Sequence, residues 1–308
     1  MSYYLRRILT VIPILFVSWT VVFVVLQLIP GDPVDLMLVG RPASQEVRDN
    51  VRIQLGLDKP PLVRYGNFLL RAVRGDLGYS YRTRQPVVNS IVEQVPETLE
   101  LAVGGLIIGL LFGVLLGIIA GTRPNSWQDT GTMFVALAGI SMPSFWVAML
   151  LIYIFGLQLR WFPIIGEGLP ALILPSIAVA FWLIGNLARL IRSSILEVMG
   201  EDYIQTGHAK GLSPWRVVFK HAFRNAMIPP VTMLGIQFAY LISGAVIAEI
   251  VFARPGIGQL LVISVLNKDV PMVQGIVVYT TGAFIILNLL VDILYGLIDP
   301  RIRESRAA

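Results

Sequence analysis

Six stretches of the chain contain no Asp, Glu, Lys or Arg: Ile8–Ile29, Leu101–Thr122, Thr130–Leu159, Gly168–Ala188, Asn225–Ala248 and Val270–Val291. Each is about 20 residues or longer, and at ~1.5 Å rise per residue each is long enough to cross a hydrocarbon core of ~30 Å. The pattern predicts an all-α integral membrane protein with six transmembrane helices and both chain ends on one side. Between the first two stretches, Ser44 is placed to cap a helix with Val47, Val51 and Leu55 on one face. Pro61 is placed to open another with Leu62, Tyr65, Leu69 and Val73 on one side, ended by Gly75-Asp76-Leu77-Gly78. Residues 1–100 therefore read as the first transmembrane helix plus an outer helical segment, and 101–308 as a five-helix core.

The longest polar interruption of that core, Arg189–Arg224, is predicted to form two short helices. One runs from about Glu201 to Lys210 and is closed by Gly211 in the left-handed conformation. The second is capped by Ser213 and opened by Pro214, and reaches about Ala226. Trp215, Val218, Phe219, Ala222 and Phe223 share one face of the second helix, opposite Arg216, Lys220 and Arg224.

Composition agrees with the bilayer as solvent: 56% of residues are hydrophobic and only 14% charged, against about 25% charged in soluble domains. Lys and Arg set the orientation. With the N-terminus inside, inner segments hold Arg6, Arg7, Arg123, Arg189, Arg192, Lys210, Arg216, Lys220, Arg224, Arg301, Arg303 and Arg306, whereas the short outer loops hold Arg160, Arg254 and Lys268. The expectation is a multi-pass protein of a bacterial or archaeal cytoplasmic (inner) membrane with cytoplasmic termini and a cytoplasmic loop 189–227. The segment Pro30–Glu100 carries nine basic and nine acidic residues and crosses largely regardless of charge. The net charge of +5 is accounted for by this bias, with no nucleic acid implied. Arg6-Arg7 before an apolar run imitates a secretory signal, but the run is too long and lacks a small-x-small site, so an uncleaved helix is expected.

Gly105, Gly109, Gly113, Gly117 and Gly121 recur at every fourth position of the second span, a spacing that lets helix backbones approach closely in lipid. Internal packing and a pore-lining edge are both compatible with it. Pro143, Pro175 and Pro229-Pro230 mark positions where helices kink or open. Arg254-Pro255-Gly256-Ile257-Gly258 reads as a turn opening a short helix to about Asn267. Asn186, Gln237 and Asn288 are polar at membrane depth, suited to line a path or to hydrogen-bond between helices. Glu249 and Asp292 are ionisable residues near span ends.

Catalytic chemistry is missing. His208 and His221 both fall in the inner loop without HExxH spacing, no GxxxxGK[ST] phosphate loop or GxSxG elbow occurs, and the absence of Cys removes disulfides and thiolate metal ligands. No metal, catalytic residue or resident cofactor is expected on this chain.

The inner loop resembles the coupling loop of permease subunits of binding-protein-dependent ABC importers, most closely the dipeptide, oligopeptide, nickel and glutathione family. The resemblance rests on Glu201-Asp202-Tyr203, Thr206, Ala209-Lys210-Gly211-Leu212, His221-Ala222 and Arg224-Asn225-Ala226. It extends to Pro30-Gly31-Asp32-Pro33, Leu55-Gly56-Leu57-Asp58, Gly75-Asp76-Leu77-Gly78, Pro255-Gly256-Ile257-Gly258 and Asp299-Pro300-Arg301-Ile302-Arg303. Against the general importer motif, Gln205, Thr206 and Gly207 replace Glu-Ala-Ala, and His221, Phe223 and Arg224 replace Ile, Leu and Pro. Gly207, where the peptide branch usually has Ala, loosens the helix by up to ~1 kcal/mol.

The resemblance implies a type I ABC importer permease fold and one half of a translocation path for peptides, or for glutathione or a nickel complex. It implies a second homologous permease, two ABC ATPase subunits carrying ATP and Mg, and an extracytoplasmic solute-binding protein as partners. Tyr203, Thr206, Gly207, Ala209, Lys210, Gly211 and Leu212 would then couple to the ATPase, Tyr203 and Leu212 as apolar anchors and Lys210 as a charge contact. A self-contained secondary transporter is the rival, distinguished by whether uptake needs ATP or only an ion gradient.

Overall fold

A computed structural model describes residues 3–28, 34, 44–54, 56–213, 216–217 and 222–298. The Pro30–Pro33 run, Leu55, Pro214, Trp215, Val218–His221 and the Asp299–Arg303 run lie outside the described residues, as do the side chains of His208, Arg224 and Asp292.

Helices occupy all six apolar stretches. They are α1 (Tyr3–Leu28), α4 (Val87–Thr122), the pair α5 (Trp127–Ser141) and α6 (Ser144–Leu151), α7 (Leu169–Met199), α10 (Ile228–Val251) and α12 (Val270–Ile298). The intervening helices are α2 (Gln45–Gln54), α3 (Pro61–Val73), α8 (Asp202–Ala209), α9 (Phe223–Ala226) and α11 (Ile257–Leu266). Their starts follow the turn chemistry expected of them: Ser44 Oγ accepts from Val47 N, and proline opens α3, α7 and α10. Pro175 lies inside α7 without ending it.

The third stretch departs from a straight span. Its two halves meet at 113°, and α6 passes into π-type winding over Ile152–Gln158. The cause is local: Met142 takes an extended conformation (φ −80°, ψ 131°) ahead of Pro143, as the residue before proline prefers. Helix α4 also differs from expectation. It starts at Val87, well before the apolar run, because Val87, Ile91 and Thr98 are buried and hold this polar stretch helical.

Packing divides the chain into two units, Met1–Pro96 with Gln259–Ala308, and Glu97–Gly258. In the first, α1 packs on α12 and α3. Thr20 and Tyr65 share a 2.6 Å hydrogen bond, and Phe23 lies against Tyr65 and Phe68 with ring centroids 5.2 and 5.9 Å away.

In the second unit, α7 is the central helix, touched by α5, α6, α8, α9 and α10. Its Leu174, Leu183, Leu187, Ile191 and Ile195 are essentially inaccessible. The glycine face of α4 lies directly on it: a Cβ at Gly113, Gly117 or Gly121 would come 2.8, 2.7 or 2.8 Å from the Cβ of Leu187, Ile191 or Ile195, and Gly105 and Gly109 face Val179 and Leu183. Both series ascend together, so α4 and α7 are parallel. Parallel helices joined by one connection need that connection to return to the starting side. The bent α5–α6 pair therefore makes one net crossing. Helix α10 runs the other way, since Leu241 approaches Gly105 while Glu249, further along α10, meets Thr98, earlier on α4.

Candidate coupling site and translocation elements

The described part of the loop between α7 and α10 is a small folded element. Ile204 of α8 is buried with Val217 and Ala222, and Val198, Met199 and Leu212 pack against them. Helix α8 ends as its sequence dictates: Gly211 takes φ +73°, Lys210 N donates to Thr206 O (3.0 Å) and Leu212 N to Gly207 O (3.2 Å). That is a Schellman ending, in which the left-handed residue lets later amides reach carbonyls of the last turn. A Cβ at Gly207 would lie 3.6 Å from Leu212 Cδ1 and 3.7 Å from Val217 Cγ2, so the last turn, the residue after the cap and the second half of the loop converge there.

With Ile204 directed inward, Asp202, Tyr203, Gln205, Thr206, Ala209, Lys210 and Gly211 remain exposed. Thr206 Oγ1 returns to Asp202 O at 2.9 Å. Tyr203 accepts a 2.8 Å hydrogen bond from Asn225 Nδ2, tying α8 to α9. Leu212 is half-buried in the small core, whereas Tyr203 is exposed.

The residues suggested for a path lie on three helices, Asn186 on α7, Gln237 on α10 and Asn288 on α12. Asn186 and Asn288 are both half-buried; Asn186 donates to Trp182 O (3.0 Å) and Asn288 to Phe284 O (2.9 Å), so each bonds back to its own helix. Gln237 is buried on α10, and its Oε1 has no hydrogen-bond partner among the described residues. A cavity of about 220 Å³ lies at the break of the third stretch, lined by Met142, Ser144, Val147, Trp182 and Leu241 among others.

Two polar nodes fix the ends of this unit. At one, Asp129 at the head of α5 holds Arg192 of α7 through Nε (2.6 Å) and Nη2 (2.8 Å) and also accepts from Asn125 N (3.0 Å). Sequence reasoning missed this pair, although Ser126-x-x-Asp129 has capping spacing and Ser126 Oγ does accept from Asp129 N. At the other, buried Glu249 accepts from Thr98 Oγ1 (2.6 Å) and Gly258 N (2.8 Å), while Thr98 Oγ1 accepts from Ile257 N (2.9 Å). Arg254 beside it bridges Glu97 (2.6 Å) and Glu100 (2.7 Å). Glu249 is thus built into the junction of α4, α10 and the start of α11.

The described residues thus form a helical membrane core with parallel, glycine-seamed helices and a helix pair folded against the end of its central helix. Residues 113–304 match the family model "Binding-protein-dependent transport system inner membrane component", and residues 1–102 match "Binding-prot-dependent transport system membrane comp, N-term". A Brucella abortus (strain 2308) protein bearing the name of a peptide transport system permease protein is 41% identical over 308 residues, covering 97% of this chain and 98% of its own. Glutathione transport system permease protein GsiC of Escherichia coli (strain K12) is 41% identical over 304 residues, covering 98% and 99%. The crystal structure of an amino acid ABC transporter with histidines superimposes with a TM-score of 0.52 at 15% identity, covering 70% of this chain and 94% of that one, and so shares the fold.

The chain belongs to the binding-protein-dependent transport system inner membrane component family. It is a multi-pass inner-membrane permease subunit of an ABC importer with the type I permease fold, a transport component whose family works with ATPases and a binding protein.

Proposed function

We propose that this permease forms half of the translocation path for a peptide, pairs with a second homologous permease, and takes its driving force from two ABC ATPase subunits that carry ATP and Mg. The observation that carries the coupling part is the exposed face of α8, a capped helix seated on its own small core against the end of α7. A rigid short helix resting on the central helix passes a push from below into the bundle instead of absorbing it in a floppy loop. Tyr203, Thr206, Ala209, Lys210 and Gly211 form the contact; Gly207 and Leu212 set its angle from behind. The glycine seam Gly105–Gly121 makes α4 and α7 move as one body. Asn186, Gln237 and Asn288 serve the path. Both termini and residues 189–227 face the cytoplasm, in keeping with the Lys and Arg distribution.

The peptide class is supported by relatives named for peptide transport and for glutathione transport, glutathione itself being a small peptide. The test is to purify the tagged chain from its native membrane in mild detergent and identify what accompanies it, then measure ATP hydrolysis with di- and tripeptides supplied on the binding protein. Recovery of a second permease and ATPases whose hydrolysis is peptide-stimulated is the expected result. Recovery of the chain alone, active in ATP-free vesicles, overturns the reading.

A further inference from the structure

The segment after α3 makes a hairpin. Tyr79 pairs with Pro86 in an isolated antiparallel bridge, Ser80 N donates to Gln85 O (3.0 Å), Arg84 N to Ser80 O (3.0 Å) and Val87 N to Gly78 O (3.0 Å). The base is locked from inside. Ser80 is 2% exposed, and its Oγ donates to the carboxylate of Asp269 while accepting from Arg82 N (3.2 Å) and Thr83 N (3.0 Å). Asp269, 4% exposed, also accepts from Tyr81 N (3.0 Å) and from Met272 N (3.4 Å), so the acid that caps α12 is the hairpin's footing.

The tip is the opposite of the base. Arg82, Thr83, Arg84 and Gln85 are exposed, Tyr79 is 65% exposed, and Arg84 sits at φ +57°, a left-handed conformation that disfavours a side chain. Neither Arg82 nor Arg84 makes an ion pair among the described residues. Asp76, the nearest acid in sequence, accepts from Gly78 N (3.0 Å). Arg71 and Arg74 at the end of α3 are exposed as well.

We propose that the Tyr79–Pro86 hairpin is a docking surface for an acidic face of the extracytoplasmic binding protein, with Arg82 and Arg84 as its charge contacts and Tyr79 as its aromatic one. This rests on the importer reading above. Tyr and Arg are the side chains enriched at binding hot spots. A tip whose backbone is already fixed loses little freedom on binding, and unpaired guanidinium groups steer an acidic partner. An anionic lipid surface is the weaker occupant, because anionic lipids concentrate in the cytoplasmic leaflet and attract polybasic segments there, whereas this hairpin belongs to the outer segment.

The experiment compares the assembled transporter in nanodiscs with its Arg82→Glu/Arg84→Glu and Arg82→Lys/Arg84→Lys variants. It measures the Kd of the binding protein at several salt concentrations together with basal ATP hydrolysis. The expected result is a loss of tenfold or more in affinity and a shallower salt dependence for the Glu pair, near-normal affinity for the Lys pair, and unchanged basal hydrolysis in both. Unchanged affinity of the Glu pair, equal loss in both pairs, or a loss seen only in discs of anionic lipid would overturn the docking surface. Failure of the unmodified chain to assemble with any ATPase would instead sink the importer reading on which it stands.

Discussion

Thr98 Oγ1 donates to Glu249 Oε1 at 2.6 Å, joining two side chains that are both buried. Gly258 N donates to the other oxygen, Oε2, and the carboxyl fills the space a Cβ at Gly256 would need. Every donor around this acid needs an acceptor. Glu249→Gln puts an NH2 group where one oxygen stood and leaves a buried donor unpaired, a loss of about 1–3 kcal/mol. Gly256→Ala forces the carboxyl aside and should cost a comparable amount. Both are expected to lower the unfolding temperature of the purified protein in detergent by several degrees; an unchanged melt for Glu249→Gln would show that the node does not hold the junction.

The glycines divide by what a methyl group would strike. At Gly185 it would overlap Ala136 O, and at Gly139 it would lie 2.6 Å from Phe181 O, backbone atoms that cannot swing away. At Gly109 the obstacle is the Leu183 side chain, which can rotate; at Gly131 nothing lies within 4 Å. Alanine should therefore destabilise most at 185 and 139, by about 1–3 kcal/mol as overpacking does. It should cost less at 109, and at 131 should be neutral or slightly stabilising because Ala outranks Gly in a helix. Melting temperatures of the four variants test the order, and Gly131→Ala as damaging as Gly185→Ala would contradict it.

Much of this architecture was legible because bilayer physics writes long apolar runs that a sequence cannot hide, and because turn residues such as Ser44, Pro61 and Gly211 act locally. What sequence reading placed wrongly depends on distant contacts. The start of α4 at Val87 is set by burial of Val87 and Ile91, which no local pattern shows, whereas the bend of the third stretch was legible at Pro143 as a position where a helix kinks. Glu249 stood out as an intramembrane acid; that Thr98, 151 positions earlier, answers it was not readable. Asn186 and Asn288 were legible as polar residues but not as groups that bond to their own helices.

Asp129 and Arg192 tie the head of α5 to α7 with two short hydrogen bonds, and Asp129 is 4% exposed while the Arg192 side chain is 28% exposed. Removing the guanidinium strands a buried carboxylate, which in general costs about 3–5 kcal/mol, with the partial exposure of Arg192 placing this pair toward or below the lower end. Arg192→Ala should therefore destabilise more than the double variant Asp129→Ala/Arg192→Ala, which leaves no unpaired charge. A double-mutant cycle on detergent-solubilised protein reads this directly, and additive losses would mean the two groups act independently.

Gly207 and Gly211 sit four residues apart on the coupling element and should respond oppositely to substitution. Gly207 is in the last turn of α8, where a Cβ meets only ordinary contacts at 3.6 and 3.7 Å. Gly207→Ala should thus stiffen the helix by up to ~1 kcal/mol. Gly211 has free space for a side chain but stands at φ +73°, so Gly211→Ala strains the cap by roughly 1 kcal/mol, and proline, fixed near φ −65°, cannot form it. Hydrogen exchange across Asp202–Ala209 should slow in Gly207→Ala and quicken in the Gly211 variants. If α8 transmits force, Gly211→Pro assembles with its partners yet loses substrate-stimulated ATP hydrolysis, while Gly207→Ala keeps it. Normal stimulation in the assembled Gly211→Pro complex would separate the capped geometry of this helix from coupling.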